Sequence, residues 1–396
     1  MTRIVVCLLA IILLVPVHAT AWHRKTPLVV QITSHSAGAI MHQSWTGARY
    51  NVIFDSDADL IGNDNTTRQI FLYDLQEHDR TGLPALHQLT TGDGDSQRGT
   101  SGSRDQTIVY DTRPGGVGPR QIYTVDRFSG TTHAVTQGDA DSLNPKVDHS
   151  GQFVVFESDA DLLGSGLSGT QVYRADLDLA DPSCPYPCLA NGNLGLIRVT
   201  NKVGTSRNAV ASKGGKAIAF ESDADLLNTE ATGTQVYLFD ATVGTLTRLS
   251  SGAGPSRNPT LPRNGRLVAF ESDDGSGGTQ IMLYRRANGT AQPLTSSSGA
   301  QSTRPSFDSA SGRTLIFVST GDLLGTGSTG TQVFRHDIRA GTLSQITNAP
   351  GTISDPSYSS IYFVTFLADT DLLRNGNTSV NLFAVNLFKL GPTVLP

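Results

Sequence analysis

The sequence predicts an all-β fold, a seven-bladed β-propeller of four-stranded antiparallel blades whose last blade is closed by the N-terminal strand. Three observations carry this expectation. A unit spanning residues 220–240 (FESDADLLNTEATGTQVYLFD) recurs in near copies at 54–74, 156–176 and 317–337, and in shortened copies opening at Tyr110, Phe270 and Phe366. Self-similarity at a period of about 20 to 50 residues marks solenoids, propellers or arrays. Two positions inside the unit then give the same count. A Gln or Asn opens the third strand at Gln69, Gln121, Gln171, Gln235, Gln280, Gln332 and Asn381, and a Thr or Ser ends the fourth at Thr33, Thr90, Thr136, Thr200, Ser250, Thr295 and Thr347. Finally, the fourth-strand series begins before the first full unit and has no member after the last. Residues 28–33 therefore supply the outer strand of the final blade, which removes two open sheet edges that would otherwise invite pairing with other chains.

Taken in order, residues 1–21 read as a secretory leader: Arg3 gives the positive start, residues 4–15 a short apolar run and Ala19-Thr-Ala21 a small-residue cleavage site. The apolar run is shorter than the roughly 20 residues a bilayer-spanning helix needs, so no stable membrane anchor is expected after cleavage. Residues 22–396 are then one domain, with blades near 36–90, 95–136, 141–200, 205–250, 255–295, 301–347 and 353–388 plus 28–33. Each blade has four marks: a polar opening such as Ser206-Arg-Asn208, an apolar strand after a glycine turn such as Gly215-Lys-Ala-Ile-Ala-Phe220, a Gln-led strand and a short Thr- or Ser-ended strand. Short strands bounded by turn residues, four to a repeat, are the makings of a propeller blade. The 41 glycines agree with this dense turn content.

These residues resemble the TolB-type, WD40-like propeller repeat of exported bacterial proteins, in the variant that reads Gly-x-x-Val-Ala-Phe-x-Ser-Asp-Ala-Asp-Leu, then Thr-Gln-Val-Tyr-x-x-Asp, then Gly-Thr. The resemblance covers roughly residues 28–390. It implies the fold and a periplasmic or secreted location. The family's namesake carries an α/β domain ahead of six blades, whereas seven units are counted here, so its partner-binding role is not carried over.

Net charge is −5, and −6 once Arg3 leaves with the leader, so there is no basic field to hold nucleic acid. In a propeller, the loops joining strands two and three share a face with the connections between blades, and here that face collects acidic residues. Asp55, Asp57 and Asp59 are the most calcium-like triplet, because alternating carboxylates resemble the first half of a calcium loop. The rest of that pattern is missing from every loop. An Asp that bonds its own turn explains a motif found in most blades, so no cofactor is expected and calcium is the weaker reading.

The polar openings of the inner strands converge on the same face: His42, Arg98, Asn144, Arg207 with Asn208, Arg257 with Asn258, Arg304 and Asp355. Of these, His42, Arg98, Arg207, Arg257, Arg304 and Asp355 are the candidate ligand-binding residues. Several arginines at one mouth can clamp a carboxylate, sulfate or phosphate by forked hydrogen bonds. They can equally pair with the nearby acidic loops, and a binding role then requires at least two arginines left over. On the opposite face, short Gly-Thr turns at Gly130, Gly244, Gly289 and Gly341 are broken by longer excursions at 78–86 and 177–195. The second holds Cys184 and Cys188, expected to form a local disulfide after export.

Metal-protease, P-loop and serine-elbow motifs are all missing from the sequence. The reading is a non-catalytic module that binds a protein, peptide or glycan over its channel face. The alternative is a propeller enzyme acting on a polysaccharide as hydrolase or metal-assisted lyase, for which His42 joined by carboxylates around a metal would be the sign.

Overall fold

The computed structural model describes residues 28–33, 40–45, 50–103, 106–177, 195–251, 254–296, 299–308, 311–359, 362–376, 379–390 and 394–395. They form seven four-stranded antiparallel sheets, each running in sequence order from the channel outwards except the last. Blade four shows how the sequence builds one. Ser206–Ala211 is the inner strand, followed by Ala217–Ser222, Gln235–Asp240 and Thr245–Arg248. The second strand, AIAFES, is buried along its whole length because neighbouring blades cover both of its faces. Such a strand reads as an unbroken run rather than an alternation. Phe220 stacks on Tyr237 of the third strand at 5.8 Å, and the same stack recurs as Phe54 on Phe71, Phe156 on Tyr173 and Phe317 on Phe334.

The hydrophobic core is divided among the joints between blades. Val155 and Val172 of blade three pack with Ile218, Phe220 and Tyr237 of blade four, and Ile53, Ile70 and Leu72 of blade one with Ile108 and Val125 of blade two. Each interface is thus a small two-layer core closed by its neighbour.

The Thr or Ser that ends each outer strand has a defined task. Its hydroxyl accepts the backbone N–H just after the third-strand Gln or Asn, in all seven blades, as in Thr136 with Ile122 at 2.8 Å and Ser250 with Val236 at 3.0 Å. In five blades the same hydroxyl donates to that glutamine's Oε1, at 2.6 to 2.9 Å. The two sequence positions used to count blades are therefore bonded to each other.

Blade seven is closed by the N-terminal strand, as the offset predicts. Val29–Gln31 lies on the outer side of Asn381–Asn386, with Val29 opposite Val385 and Gln31 opposite Phe383. Ile32 N–H bonds the Leu382 carbonyl at 2.8 Å, and Thr33 takes the latch position, accepting Leu382 N–H at 3.0 Å. Val30 and Ile32 are buried in the core between blades seven and one. A second closing contact has no counterpart in the repeat: Leu395 exchanges backbone hydrogen bonds with Ile346 and Asn348 at the edge of blade six and is buried.

The excursion placed at 78–86 begins earlier, as a short helix over Leu75–Thr81. Asp74 caps it by accepting the N–H groups of Gln76 and Glu77, and Gly82 ends it in the left-handed conformation at φ 71°. The leader at 1–21 and the pair Cys184 and Cys188 lie outside the described residues. Among those described, no helix is long and apolar enough to cross a membrane.

Candidate ligand-binding site at the channel mouth

Each inner strand carries one residue in the left-handed region: His42, Arg98, Asn144, Asn208, Asn258, Arg304 and Asp355, with φ between 46° and 57°. In every blade this residue falls at a β-bulge, between Met41 and Ser44 in blade one and between Arg207 and Val210 in blade four, for example. Asn tolerates that backbone best, which accounts for its use in three blades. The bulge also turns the backbone N–H towards the preceding blade.

That N–H meets a carboxylate. Asp55 accepts from Arg98 N–H at 2.8 Å, Asp111 from Asn144 at 3.2 Å, Glu157 from Asn208 at 2.6 Å, Glu221 from Asn258 at 2.6 Å and Glu271 from Arg304 at 2.8 Å. All five carboxylates are buried. Each also takes a side chain from its own blade where one reaches: His42 Nδ1 lies 2.9 Å from Asp55, and Asn144 donates to Glu157 and Asn258 to Glu271. Five of the seven joints are tied in this way. The equivalent positions in blades six and seven are Val318 and Leu367.

Burial, the largest cause, holds Glu157, Glu221 and Glu271 above the ordinary glutamate pKa of 4.5 despite the hydrogen bonds they accept, and for Glu157 and Glu221 the next glutamate adds repulsion.

The arginines divide into two groups. Arg98 forks onto Asp111 of its own blade through Nε and Nη2 at 2.6 and 2.9 Å. Arg120 also reaches Asp111, and Arg68 bridges Asp55 at 2.7 Å and Asp57 at 3.0 Å. Arg304, more than half exposed, stands 3.6 Å from Asp355 in the next blade. Arg207 and Arg257 differ. Both are exposed, and among the described residues neither forms a hydrogen bond or an ion pair; Glu221 and Glu271 beside them accept from Asn258 and Arg304 instead. They flank a polar cleft of about 280 Å³ lined also by Thr205, Glu221, Asp223, Thr234 and Pro255. Arg207 extends from this cleft into the channel mouth, a cavity of about 610 Å³ to which all seven inner strands contribute and where His42, Arg98, Arg304 and Asp355 also lie.

The residues read as a calcium-like triplet do not converge. Asp55 belongs to the second strand and faces His42 and Arg68, Asp57 pairs with Arg68, and Asp59 accepts the N–H groups of Gly62, Asn63 and Asp64 at 2.8 to 3.0 Å. Those bonds, led by Asn63, hold the Asp59 carboxyl below its ordinary value. Asp161, Asp225, Asp322 and Asp371 close the same turn in their blades. Among the described residues, no group of three or more His, Cys, Asp or Glu could hold a metal ion.

Two site residues escape the sequence reading. Asp111 fills the carboxylate position in blade two, where the Ser-Asp-Ala-Asp signature is missing; its cue is the register of Tyr110 with the other strand-two aromatics. Lys146 lines the channel mouth. Burial first, then repulsion from Arg98, pushes its ammonium below the ordinary lysine value.

No family model matches the sequence, and no curated protein matches it. Solved structures do. A manganese complex of an oligogalacturonate lyase is 13% identical, with 91% of this chain and 93% of that one covered and a TM-score of 0.61. The β-propeller domain of the Trilobed protease from Pyrococcus furiosus is 9% identical, covering 91% and 99%, with a TM-score of 0.60. TolB from Acinetobacter baumannii is 14% identical over 82% of this chain and 81% of its own, with a TM-score of 0.42. At these identities the likeness establishes the propeller and nothing finer.

Proposed function

We propose that this chain is an exported, non-catalytic binding module that takes an anionic group of a protein, peptide or glycan at the mouth of its channel. One observation carries the reading: Arg207 and Arg257 stand exposed at a polar cleft and, among the described residues, form no direct ion pair, while Arg68, Arg98 and Arg120 are each tied to a carboxylate. A repeat scaffold needs its carboxylates and left-handed residues in most blades to hold the ring together. Arg207 and Arg257 support Glu157, Glu221 and Glu271 only at a distance, and their planar forks suit carboxylate, sulfate or phosphate oxygens. The leader-like segment at 1–21 supports export to the periplasm or beyond.

The test is binding to immobilised acidic and neutral glycans and peptides, with Arg207→Ala, Arg257→Ala and the double variant alongside the unaltered protein. A charge-assisted hydrogen bond contributes about 1.5–3 kcal/mol, so each single substitution is expected to weaken acidic-ligand binding about tenfold or more. Equal binding of acidic and neutral ligands, or acidic binding unchanged in the double variant, refutes the reading.

A further inference from the structure

The bulge in each inner strand reverses the facing of the residues beyond it. Two positions after the left-handed residue come Ser44, Thr100, Lys146, Val210, Thr260, Ser306 and Ser357, by the cross-strand register of all seven blades. Six members of this ring are uncharged and blade three alone places a cation there. Lys146 is half-buried in the channel wall. Its ammonium has three donors, yet among the described residues it makes no hydrogen bond and no ion pair within 4 Å. The nearest carboxylates are already engaged. Asp55 holds His42, Arg68 and the Arg98 N–H; Asp111 holds Arg98, Arg120 and the Asn144 N–H; Glu157 holds the Asn144 side chain and the Asn208 N–H. Among the described residues no hydrogen bond of the ring reaches the Lys146 ammonium, although Glu157, Asp111 and Asp55 favour its charge at longer range, and it shares one cavity with Arg207.

We propose that Lys146 forms a second anion subsite inside the channel, so that the ligand held at the mouth carries two carboxylate-type groups, one on Arg207 and one on the Lys146 ammonium. The outer contact rests on the reading of the mouth given above; the inner one does not. A cavity of about 610 Å³ lies within the range of roughly 300–1,000 Å³ that small ligands and chain ends occupy. Burial and Arg98 depress the Lys146 pKa, while Glu157, Asp111 and Asp55 oppose the shift.

The experiment is calorimetric titration of the full chain with acetate and with the unbranched dicarboxylates from succinate to suberate. One chain length is expected to bind at least about tenfold more tightly than acetate, because the second group binds at the effective concentration set by the first. Lys146→Met, checked for folding by its melting curve, removes that advantage, and Lys146→Arg keeps it. In the Arg207→Ala/Arg257→Ala variant, acetate binding persists and is abolished when Lys146→Met is added. A flat series, a dicarboxylate advantage that survives Lys146→Met, or loss of all acetate binding in the arginine variant overturns the subsite. If acetate binds the arginine variant as well as it binds the unaltered protein, the inner subsite stands and the reading of the mouth falls.

Discussion

Removing residues 22–34 tests how much of the ring depends on its closing strand. The deletion takes Val30 and Ile32 out of the core between blades seven and one, and Leu28 and Val29 away from the core between blades six and seven. Fully burying an aliphatic side chain contributes about 1.5–3 kcal/mol, so the two buried residues account for roughly 3–6 kcal/mol. The bonds from Ile32 N–H to Leu382, from Asn386 N–H to Leu28 and from Leu382 N–H to Thr33 go as well, at about 1 kcal/mol net each. The sum, on the order of 6–9 kcal/mol, is comparable to the whole stability of an ordinary domain. At about 2 °C per kcal/mol, the lower end for large domains, the truncated chain should melt at least about 12 °C below the full one or fail to fold. Ile32→Ala is the milder version and should lose about 2–5 kcal/mol. Differential scanning calorimetry of both variants decides the matter. A truncated chain that melts with the unaltered protein would refute the closure.

Thr136→Val removes a buried hydroxyl that accepts from Ile122 N–H and donates to Gln121. It should cost about 1–3 kcal/mol in urea unfolding by orphaning the Ile122 N–H, while Gln121 Oε1 keeps the Gly138 N–H. Glu157, Glu221 and Glu271 bind protons more tightly folded than unfolded, so their contribution is complete below the unfolded value near 4.5 and is lost as pH rises through their raised folded values. Glu221→Gln should therefore flatten the fall of melting temperature above pH 4.5, and an unchanged slope would contradict the shift. Asp59 and its counterparts act in the opposite sense, since their lowered values stabilise the fold above about 3.8 and that support fades as pH drops below it. Melting curves in excess chelator and in millimolar calcium should superimpose; a rise of several degrees with calcium would return Asp55, Asp57 and Asp59 to consideration as ligands.

The ring, its blade number and its closure were legible because a propeller repeats its hydrogen bonds, and a repeated bond leaves a repeated residue pair. Thr136 with Gln121 and Ser250 with Gln235 are visible as spacing before they are visible as geometry. The ring of polar openings was placed on the channel face from the sequence, but its left-handed backbone, which Asn144, Asn208 and Asn258 suit by residue type, was not read there. Nor was the charge pairing. Arg98 and Arg207 look alike in sequence, but Arg98 is itself the left-handed residue and points to its blade's carboxylate, whereas Arg207 stands one position earlier and points to solvent. Lys146, two residues beyond Asn144, shares the channel mouth with it, but its residue type alone gave no cue that it would lie there. The turn-bonding role preferred for the acidic loops fits Asp59, whereas Asp55 serves a joint and Asp57 an arginine.

The closing strand also settles how the ring would respond to tension. Val29 lies opposite Val385, so the N-terminal end of the outer strand and the C-terminal end of its partner emerge side by side from blade seven. A force drawing Leu28 away from Asn386 therefore meets the ladder one rung at a time, beginning with the bond from Asn386 N–H to Leu28 and ending at Thr33. Such a ladder peels, whereas strands pulled from opposite ends must break their rungs together. The clip of Leu395 onto blade six is anchored outside this ladder. A tether at the amino end would thus load the weakest direction of the closure, and one at the carboxyl end would first load the clip.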